Sequence, residues 1–104
     1  MNWKIVYTKK ADEELESIYE YVSNVLGEPM TAKNLVETIM KNIRSLEQMP
    51  KRYRAYADEP WHSRGLRVLP VKNYLVFYLP VECEKTVYIV RIMYAGRDIA
   101  KQLD

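Results

Sequence analysis

Residues 64–99 read RGLRVLPVKNYLVFYLPVECEKTVYIVRIMYAGRDI. β-Branched and aromatic side chains, which favour strands, fill three runs in this stretch, at Leu66 to Val71, Tyr74 to Leu79 and Thr86 to Tyr94. The polar turn Glu82 to Lys85 joins the last two runs. The stretch therefore predicts a three-stranded antiparallel meander.

The segment before the meander predicts one strand and two helices. Trp3 to Tyr7 is short and β-rich, and Thr8 after it offers a hydroxyl N-cap. Apolar residues then recur at helical spacing in two stripes: Ala11, Leu15, Ile18, Val22, Val25 and Leu26 in the first, and Ala32, Leu35, Val36, Ile39, Ile43 and Leu46 in the second. Gly27 and Pro29 suit a tight break between the helices, and the second helix should stop before Pro50.

These elements predict one α+β domain over residues 1–104. We expect an N-terminal strand, an antiparallel helix hairpin and the meander to form one twisted sheet with the helices on one face. In the strand that begins at Tyr74, the sequence alternates Leu75, Phe77 and Leu79 with Tyr74, Val76 and Tyr78. We expect the aliphatic set to meet the helices and the tyrosine-rich set to form a partly open face.

Charge and composition narrow the functional classes. Residues 1–60 carry 9 basic and 10 acidic side chains and residues 61–104 carry 7 and 4, so the net charge of +2 arises on the meander. No run approaches the roughly 20 apolar residues of a membrane span, and no signal peptide is visible, so we expect a cytoplasmic protein without membrane contact. The single cysteine, Cys83, is interpreted as a turn residue. With His62 as the sole histidine and no glycine-rich phosphate loop, no metal or cofactor is expected.

Two polar regions have an ordinary structural interpretation. The carboxylates of the first helix are interpreted as a solvated face: Asp12, Glu13, Glu14, Glu16 and Glu20. Residues 50–65 carry no periodic pattern, and unstructured loops of that length are uncommon unless they are functional. The alternative for this loop is a connection that packs Trp61 and some tyrosines against the sheet edge.

Cations and phenols on the sheet are the candidate functional groups. Arginine can hold a phosphate bidentately and stabilise transition-state charge, and tyrosine can stack on a base or donate a proton. We predict a working surface on the exposed face and C-terminal end of the sheet, made of Arg67, Tyr74, Tyr94 and Arg97. Tyr78 is a further candidate among the phenols near these strands. Further contacts to nucleic acid or a protein partner are predicted at Arg52, Arg54, Lys72 and Arg91. The alternative stays open that these arginines and tyrosines are ordinary strand-end and half-buried strand residues, and that Arg52 and Arg54 complement the helix dipole.

The sequence resembles the RelE/ParE toxins of bacterial type II toxin–antitoxin modules over nearly its whole length. The matching residues are Val6-Tyr7-Thr8-Lys9-Lys10-Ala11, the L-x-x-I-x-x-Y-V pattern from Leu15 to Val22, S-L-x-x-x-P from Ser45 to Pro50, Arg67 with Asn73-Tyr74 and Phe77-Tyr78, and Arg91-Ile92 with Gly96-Arg97-Asp98. The resemblance implies the RelE/ParE fold and a growth-inhibiting toxin. It also implies a cognate antitoxin that wraps around the toxin and occludes its working surface, the chain forming either a homodimer or a toxin–antitoxin hetero-oligomer.

The family divides by cellular target. RelE-like members cut mRNA in the ribosomal A site without metal, using basic side chains and a C-terminal aromatic residue or histidine, whereas ParE-like members lack that set and poison DNA gyrase. Leu75 stands where RelE-like nucleases commonly have arginine, and no tyrosine or histidine follows Arg97. Tyr94 stands where many ParE-like members have histidine, and Arg97 matches a phosphate-contacting arginine. These departures favour gyrase as the target. The alternatives are a metal-independent endoribonuclease acting on ribosome-bound mRNA, and a non-toxic interaction module whose tyrosine face serves dimerisation.

Overall fold

Four strands and four helices make up the computed structural model, which describes residues 2–103. The strands are β1 (Lys4–Tyr7), β2 (Arg67–Val71), β3 (Tyr74–Val81) and β4 (Thr86–Tyr94). The helices are α1 (Lys9–Glu20), α2 (Pro29–Arg44), α3 (Trp61–Arg64) and α4 (Ile99–Leu103). A π-helical turn, Tyr21–Val25, continues α1, and short 3-10 turns lie at Ser45–Glu47, Pro50–Arg52 and Glu82–Glu84.

The strands form one sheet in the order β1-β4-β3-β2. β1 runs parallel to β4, and β2, β3 and β4 pair antiparallel, which confirms the predicted meander and the α+β class. α1 packs over β4 and α2 reaches β2, so the helix hairpin covers one sheet face. Within the described residues no helix has the length and apolar content needed to cross a membrane.

Local signals set the ends of the first two helices as predicted. Thr8 Oγ1 accepts a hydrogen bond from the Ala11 amide at 3.1 Å and donates to the Val90 carbonyl at 3.0 Å, so one hydroxyl both caps α1 and joins it to β4. Gly27 has φ 71°, a conformation that glycine adopts without strain, and Pro29 is the first residue of α2.

The predicted apolar stripe of the first helix is wrong at its end. Val25 and Leu26 are 69% and 54% exposed instead of buried. The reason is the π-helical turn, in which the Leu26 amide donates to the Tyr21 carbonyl, five residues back. The wider turn rotates the following side chains around the helix axis, so the register set by Leu15 and Ile18 is lost.

The prediction for the two faces of β3 is also wrong. Val76 and Tyr78 are buried in the core beneath the helix hairpin, whereas Phe77 belongs to a second apolar cluster on the opposite face with Leu66, Val68, Met93 and Leu103. Tyr78 tolerates full burial because its hydroxyl donates to the Pro50 carbonyl at 2.6 Å. Both faces of the sheet are therefore covered, and the expected open tyrosine face does not exist along β3.

Residues 50–65 pack against the edge of the sheet. The Val68 amide donates to the Arg54 carbonyl at 3.1 Å and the Tyr56 amide to the Leu66 carbonyl at 2.8 Å, so the segment runs beside β2. Trp61 on α3 packs against the second apolar cluster. This arrangement is the packing connection that the sequence left as one of two alternatives. Cys83 is exposed in the turn between β3 and β4, as predicted.

Candidate functional site

One end of the sheet brings together the tyrosines predicted at the site. The two-residue turn between β2 and β3 lies beside the end of β4, since the Ala95 amide donates to the Asn73 carbonyl at 2.8 Å. Tyr74 and Tyr94 are opposite residues in the β3–β4 register. Their rings meet edge to face, with centroids 5.8 Å apart and planes at 70°. This geometry is the favourable one for an aromatic pair.

Tyr21 joins this pair from the π-helical turn. The pKa of Tyr74 is raised mainly by burial and further by the phenols of Tyr94 and then Tyr21, and the Tyr21 side chain is 53% exposed. We call Tyr21, Tyr74 and Tyr94 the tyrosine cluster. The same turn exposes Val25 and Leu26, so apolar side chains also reach the surface at the end of the first helix.

Two cations lie at this end of the sheet. Arg97 follows β4 in a turn in which its amide donates to the Tyr94 carbonyl at 3.1 Å, and its positive charge acts on the Tyr74 phenol. Lys72 is in the β2–β3 turn with φ 55°. Both residues are exposed, and neither side chain forms a hydrogen bond or ion pair with another residue in the range 2–103. Their charges are therefore available to a partner.

The tyrosine cluster is chemically suited to binding. Burial raises the pKa of Tyr74, the phenols of Tyr94 and Tyr21 raise it further, and Arg97 opposes them. A phenol ordinarily titrates near pH 10, so Tyr74 stays protonated at neutral pH and acts as a hydrogen-bond donor. His62 and Asp98 are not part of this cluster. His62 lies on α3, where its Nδ1 is 2.9 Å from the Tyr56 carbonyl oxygen, and the Asp98 carboxylate accepts a hydrogen bond from the Lys101 amide. The tyrosine cluster and the neighbouring Arg97 thus offer aromatic rings, hydroxyl donors and a cation.

A metal centre has no basis in the described part of the chain. Across residues 2–103, no three His, Cys, Asp or Glu side chains lie together in a way that could hold a metal ion.

Arg67 was predicted at the same site, but the structure places it elsewhere. It pairs with Tyr78 in the β2–β3 register, while Val71 pairs with Tyr74. Four residues of strand separate the two positions, about 13 Å at roughly 3.3 Å per residue. The Arg67 guanidinium donates to the Tyr53 carbonyl at 2.7 Å and thereby holds the 50–65 segment. The predicted single surface is therefore divided, with Arg67 at one end of β2 and the tyrosine cluster at the other.

Arg91 is held inside the fold by Glu14. Its Nε donates to both carboxylate oxygens of Glu14 at 3.1 and 3.0 Å, and its Nη2 donates to Oε2 at 2.9 Å. Nη1 donates to the Gln102 carbonyl at 2.6 Å, and the Ile92 amide also donates to Glu14, at 2.9 Å. The two charged side chains are only 14% and 13% exposed. Glu14 is thus an exception to the predicted solvated face, and every guanidinium nitrogen of Arg91 is already engaged.

The two arginines after α2 differ from each other. Arg52 donates to the Ser45 hydroxyl at 2.8 Å and to the carbonyls of Ser45 and Gln48, so it caps the end of the helical segment as the dipole interpretation expects. Arg54 is exposed, and its side chain makes no hydrogen bond or ion pair among the residues that the structure describes. Arg54 therefore remains available for a contact, but beside Arg67 and away from the tyrosine cluster.

Tyr21 is the site residue that sequence reasoning missed. In a regular α-helix its position falls outside the stripe formed by Ala11, Leu15 and Ile18, so it was assigned no function. A π-helical turn leaves no clear trace in the hydrophobic pattern. Two signals were available: Tyr21 is the tyrosine of the L-x-x-I-x-x-Y-V pattern from Leu15 to Val22, and two further tyrosines, Tyr74 and Tyr94, lie at adjacent strand ends.

Residues 5–99 match the sequence model of the ParE toxin of the type II toxin–antitoxin system parDE. The chain belongs to the ParE toxin family. The match runs from β1 to the first residue of α4 and therefore includes the whole tyrosine cluster and Arg97. It confirms the resemblance to the RelE/ParE toxins. Among curated proteins, none matches the sequence of this ParE-family toxin at a significant level.

Solved structures of toxins share the fold of this ParE-family chain. The chromosomal ParDE toxin–antitoxin system from P. aeruginosa is 24% identical, with 90% of this chain and 97% of that chain covered and a TM-score of 0.74. The RelBE2 toxin–antitoxin complex from Mycobacterium tuberculosis is 18% identical, with 90% and 99% covered and a TM-score of 0.63. A mutant of the E. coli toxin RelE in the free state is 10% identical, with 98% and 93% covered and a TM-score of 0.69. At these identities the similarity establishes the fold alone.

Proposed function

We propose that this ParE-family toxin inhibits bacterial growth by acting on DNA gyrase, and that a cognate antitoxin neutralises it. The observation that carries the proposal is the match of residues 5–99 to the ParE toxin family. The choice of gyrase over ribosome-bound mRNA rests on the chemistry of the tyrosine cluster.

Cleavage of RNA without metal requires a group that takes the proton of the ribose 2′-hydroxyl, a group that protonates the leaving oxygen, and cations that stabilise the phosphorane. A base works best when its pKa lies near the working pH. The pKa of Tyr74 is raised from its ordinary value, which moves this phenol away from that role. Leu75 packs against the second apolar cluster, on the face opposite Tyr74, and supplies no cation. These features favour binding to a protein target over phosphate chemistry.

The tyrosine cluster and Arg97 have the composition of a protein-binding surface. Tyrosine and arginine, with tryptophan, are the residue types enriched among those that dominate binding energy at protein interfaces. Tyr21 and Tyr94 are about half exposed, so their rings can still bury area against a partner. We infer that gyrase contacts this surface and that the antitoxin occludes it. The antitoxin is supported by the similar ParDE and RelBE2 structures, which are toxin–antitoxin assemblies.

The proposal is tested by induced expression in bacteria with and without the neighbouring open reading frame, followed by two assays on purified protein. We expect growth arrest that the neighbour relieves, inhibition of gyrase supercoiling, and no cutting of A-site codons on programmed ribosomes. Normal growth at high soluble expression would refute the toxin. Strong codon-specific cleavage without an effect on supercoiling would refute the choice of target and assign the chain to the endoribonuclease alternative.

A pair of arginine variants locates the working surface. Arg97→Ala removes the exposed cation beside the tyrosine cluster, and Arg54→Ala removes another exposed arginine that lies beside Arg67 instead. Both should change stability by no more than about 0.5 kcal/mol, as surface substitutions usually do. We expect Arg97→Ala to lose growth inhibition and Arg54→Ala to keep it. Full growth inhibition by both variants would show that Arg97 is not part of the working surface. Unfolding of Arg97→Ala would show that this residue has a structural role.

A further inference from the structure

The ring of Tyr94 lies directly over Gly96, two residues later in the chain. A Cβ atom built on Gly96 would lie 2.5 Å from Cε2, 3.1 Å from Cδ2 and 3.4 Å from Cζ of that ring. Carbon atoms at optimal separation are about 3.5–4.0 Å apart. All three of the nearest heavy atoms belong to Tyr94, so its ring occupies the space that a side chain at position 96 would need.

The backbone itself does not require glycine at this position. Gly27 and Gly65 have positive φ values of 71° and 89°, but Gly96 is outside that left-handed region. An alanine could therefore adopt the same backbone conformation without strain. The turn is closed by the Arg97 amide and the Tyr94 carbonyl, and both groups are present whatever residue stands at 96.

We propose that Gly96 is a positioning residue of the tyrosine cluster: it allows the Tyr94 ring to fold back over the chain and meet Tyr74 edge to face, so that the cluster presents a preformed surface. This inference rests on the proposed function, in which the cluster contacts the target. Binding surfaces gain affinity when their side chains are already held in the bound arrangement.

An added methyl group would move the ring without unfolding the protein. Tyr94 is 49% exposed, so its side chain can rotate into solvent when the Cβ of alanine takes its place. The rotation would break the contact between the Tyr94 and Tyr74 rings, whose centroids are now 5.8 Å apart. The Gly96→Ala variant should therefore resemble Tyr94→Ala in function while keeping its tyrosine.

The experiment is a double-mutant cycle of Gly96→Ala and Tyr94→Ala, with two independent measurements on the full chain. The first is the nuclear Overhauser effect between the Tyr94 and Tyr74 rings, together with the melting temperature. The second is the concentration that halves gyrase supercoiling. We expect Gly96→Ala to lose the ring contact, to keep its melting temperature and to weaken inhibition about tenfold or more. We expect the double variant to match Tyr94→Ala within about twofold, because no ring is left to displace.

Each outcome decides the inference. Persistence of the ring contact in Gly96→Ala would overturn it, and so would loss of the contact with full inhibition, or a further large loss on adding Gly96→Ala to Tyr94→Ala. If Gly96→Ala unfolds but the double variant folds, the steric clash of the alanine Cβ is with the Tyr94 ring, as inferred. If both variants unfold, the inference is overturned. If the wild-type protein does not inhibit gyrase, the proposed function fails, while the ring contact still tests the role of Gly96.

Discussion

The buried hydroxyl of Tyr78 allows a quantitative prediction. The side chain is fully buried in the core beneath the helix hairpin, and its hydroxyl donates to the Pro50 carbonyl at 2.6 Å. Tyr78→Phe removes this hydroxyl, which the Tyr53 backbone also contacts, and it leaves a buried carbonyl without its donor. An unsatisfied buried group costs about 1–3 kcal/mol. With an unfolding entropy of about 2.1 cal/mol/K per residue over 104 residues, each kcal/mol lowers the melting temperature by roughly 5 °C.

The same hydroxyl makes this difference depend on pH. Burial raises the pKa of Tyr78 to about 12, with Arg67 and Arg52 opposing the rise. In the unfolded chain the phenol titrates near pH 10. Because the folded-state pKa is the higher one, the stabilising contribution is complete below pH 10 and is lost as the pH rises through 12. At pH 11, halfway between the two pKa values, titration of this phenol should have lowered the free energy of unfolding of the wild-type protein by about 1.4 kcal/mol. Tyr78→Phe has no phenol at this position and should not show this decrease.

Urea denaturation of both proteins at pH 8 and pH 11 measures these quantities. At pH 8 we expect the variant to be less stable by about 1–3 kcal/mol. At pH 11 the difference should be smaller by about 1.4 kcal/mol. Tyr19→Phe is the matched control, since that side chain is 41% exposed. A variant as stable as wild type at pH 8, or a difference that does not narrow at pH 11, would refute the argument from the buried hydrogen bond.

Two further predictions concern charged groups. Glu14→Gln should destabilise the protein by about 3–5 kcal/mol, because it leaves Arg91 largely buried opposite a neutral side chain, and an unchanged urea midpoint would contradict this expectation. Leu75→Arg should cost about 1–3 kcal/mol and create no cleavage of mRNA on programmed ribosomes, because its side chain belongs to the sheet face opposite Tyr74. Codon-specific cutting by Leu75→Arg but not by the wild-type protein would show that the absence of arginine at this position is the reason why the wild-type protein does not cleave mRNA.

Features that depend on neighbouring residues could be predicted from the sequence. The Thr8 cap, the break at Gly27 and Pro29, and the meander all follow from preferences of one residue or of a short run. The pairing of Tyr74 with Tyr94 was also predictable in part. Tyr74 is the first residue of β3 and Tyr94 is the last residue of β4, and these two strands are antiparallel. Opposite residues of such a pair must lie together.

Features that depend on distant partners could not be predicted. Both alternating sets of β3 are apolar enough to be buried, so hydrophobicity could not say that Tyr78 faces the helices and Phe77 the opposite side. Arg91 looked like a free cation because its partner Glu14 is 77 residues away in the chain. Arg67 looked close to Tyr74 in sequence, but the antiparallel register places it four residue pairs away.

The pairing of the first strand with the last has a consequence for synthesis of the toxin. Within residues 2–103, β1 pairs with β4 alone, and the Thr8 hydroxyl that caps α1 donates to a carbonyl 82 residues later. Contacts so distant in the chain form late, because the loop between them must close first. A nascent chain has no strand for β1 to join until residues 86–94 have left the ribosome. The pair formed by Tyr74 and Tyr94 cannot assemble earlier either, because it requires the antiparallel pairing of β3 with β4. A chain that stops before β4 therefore lacks both the partner of β1 and this surface.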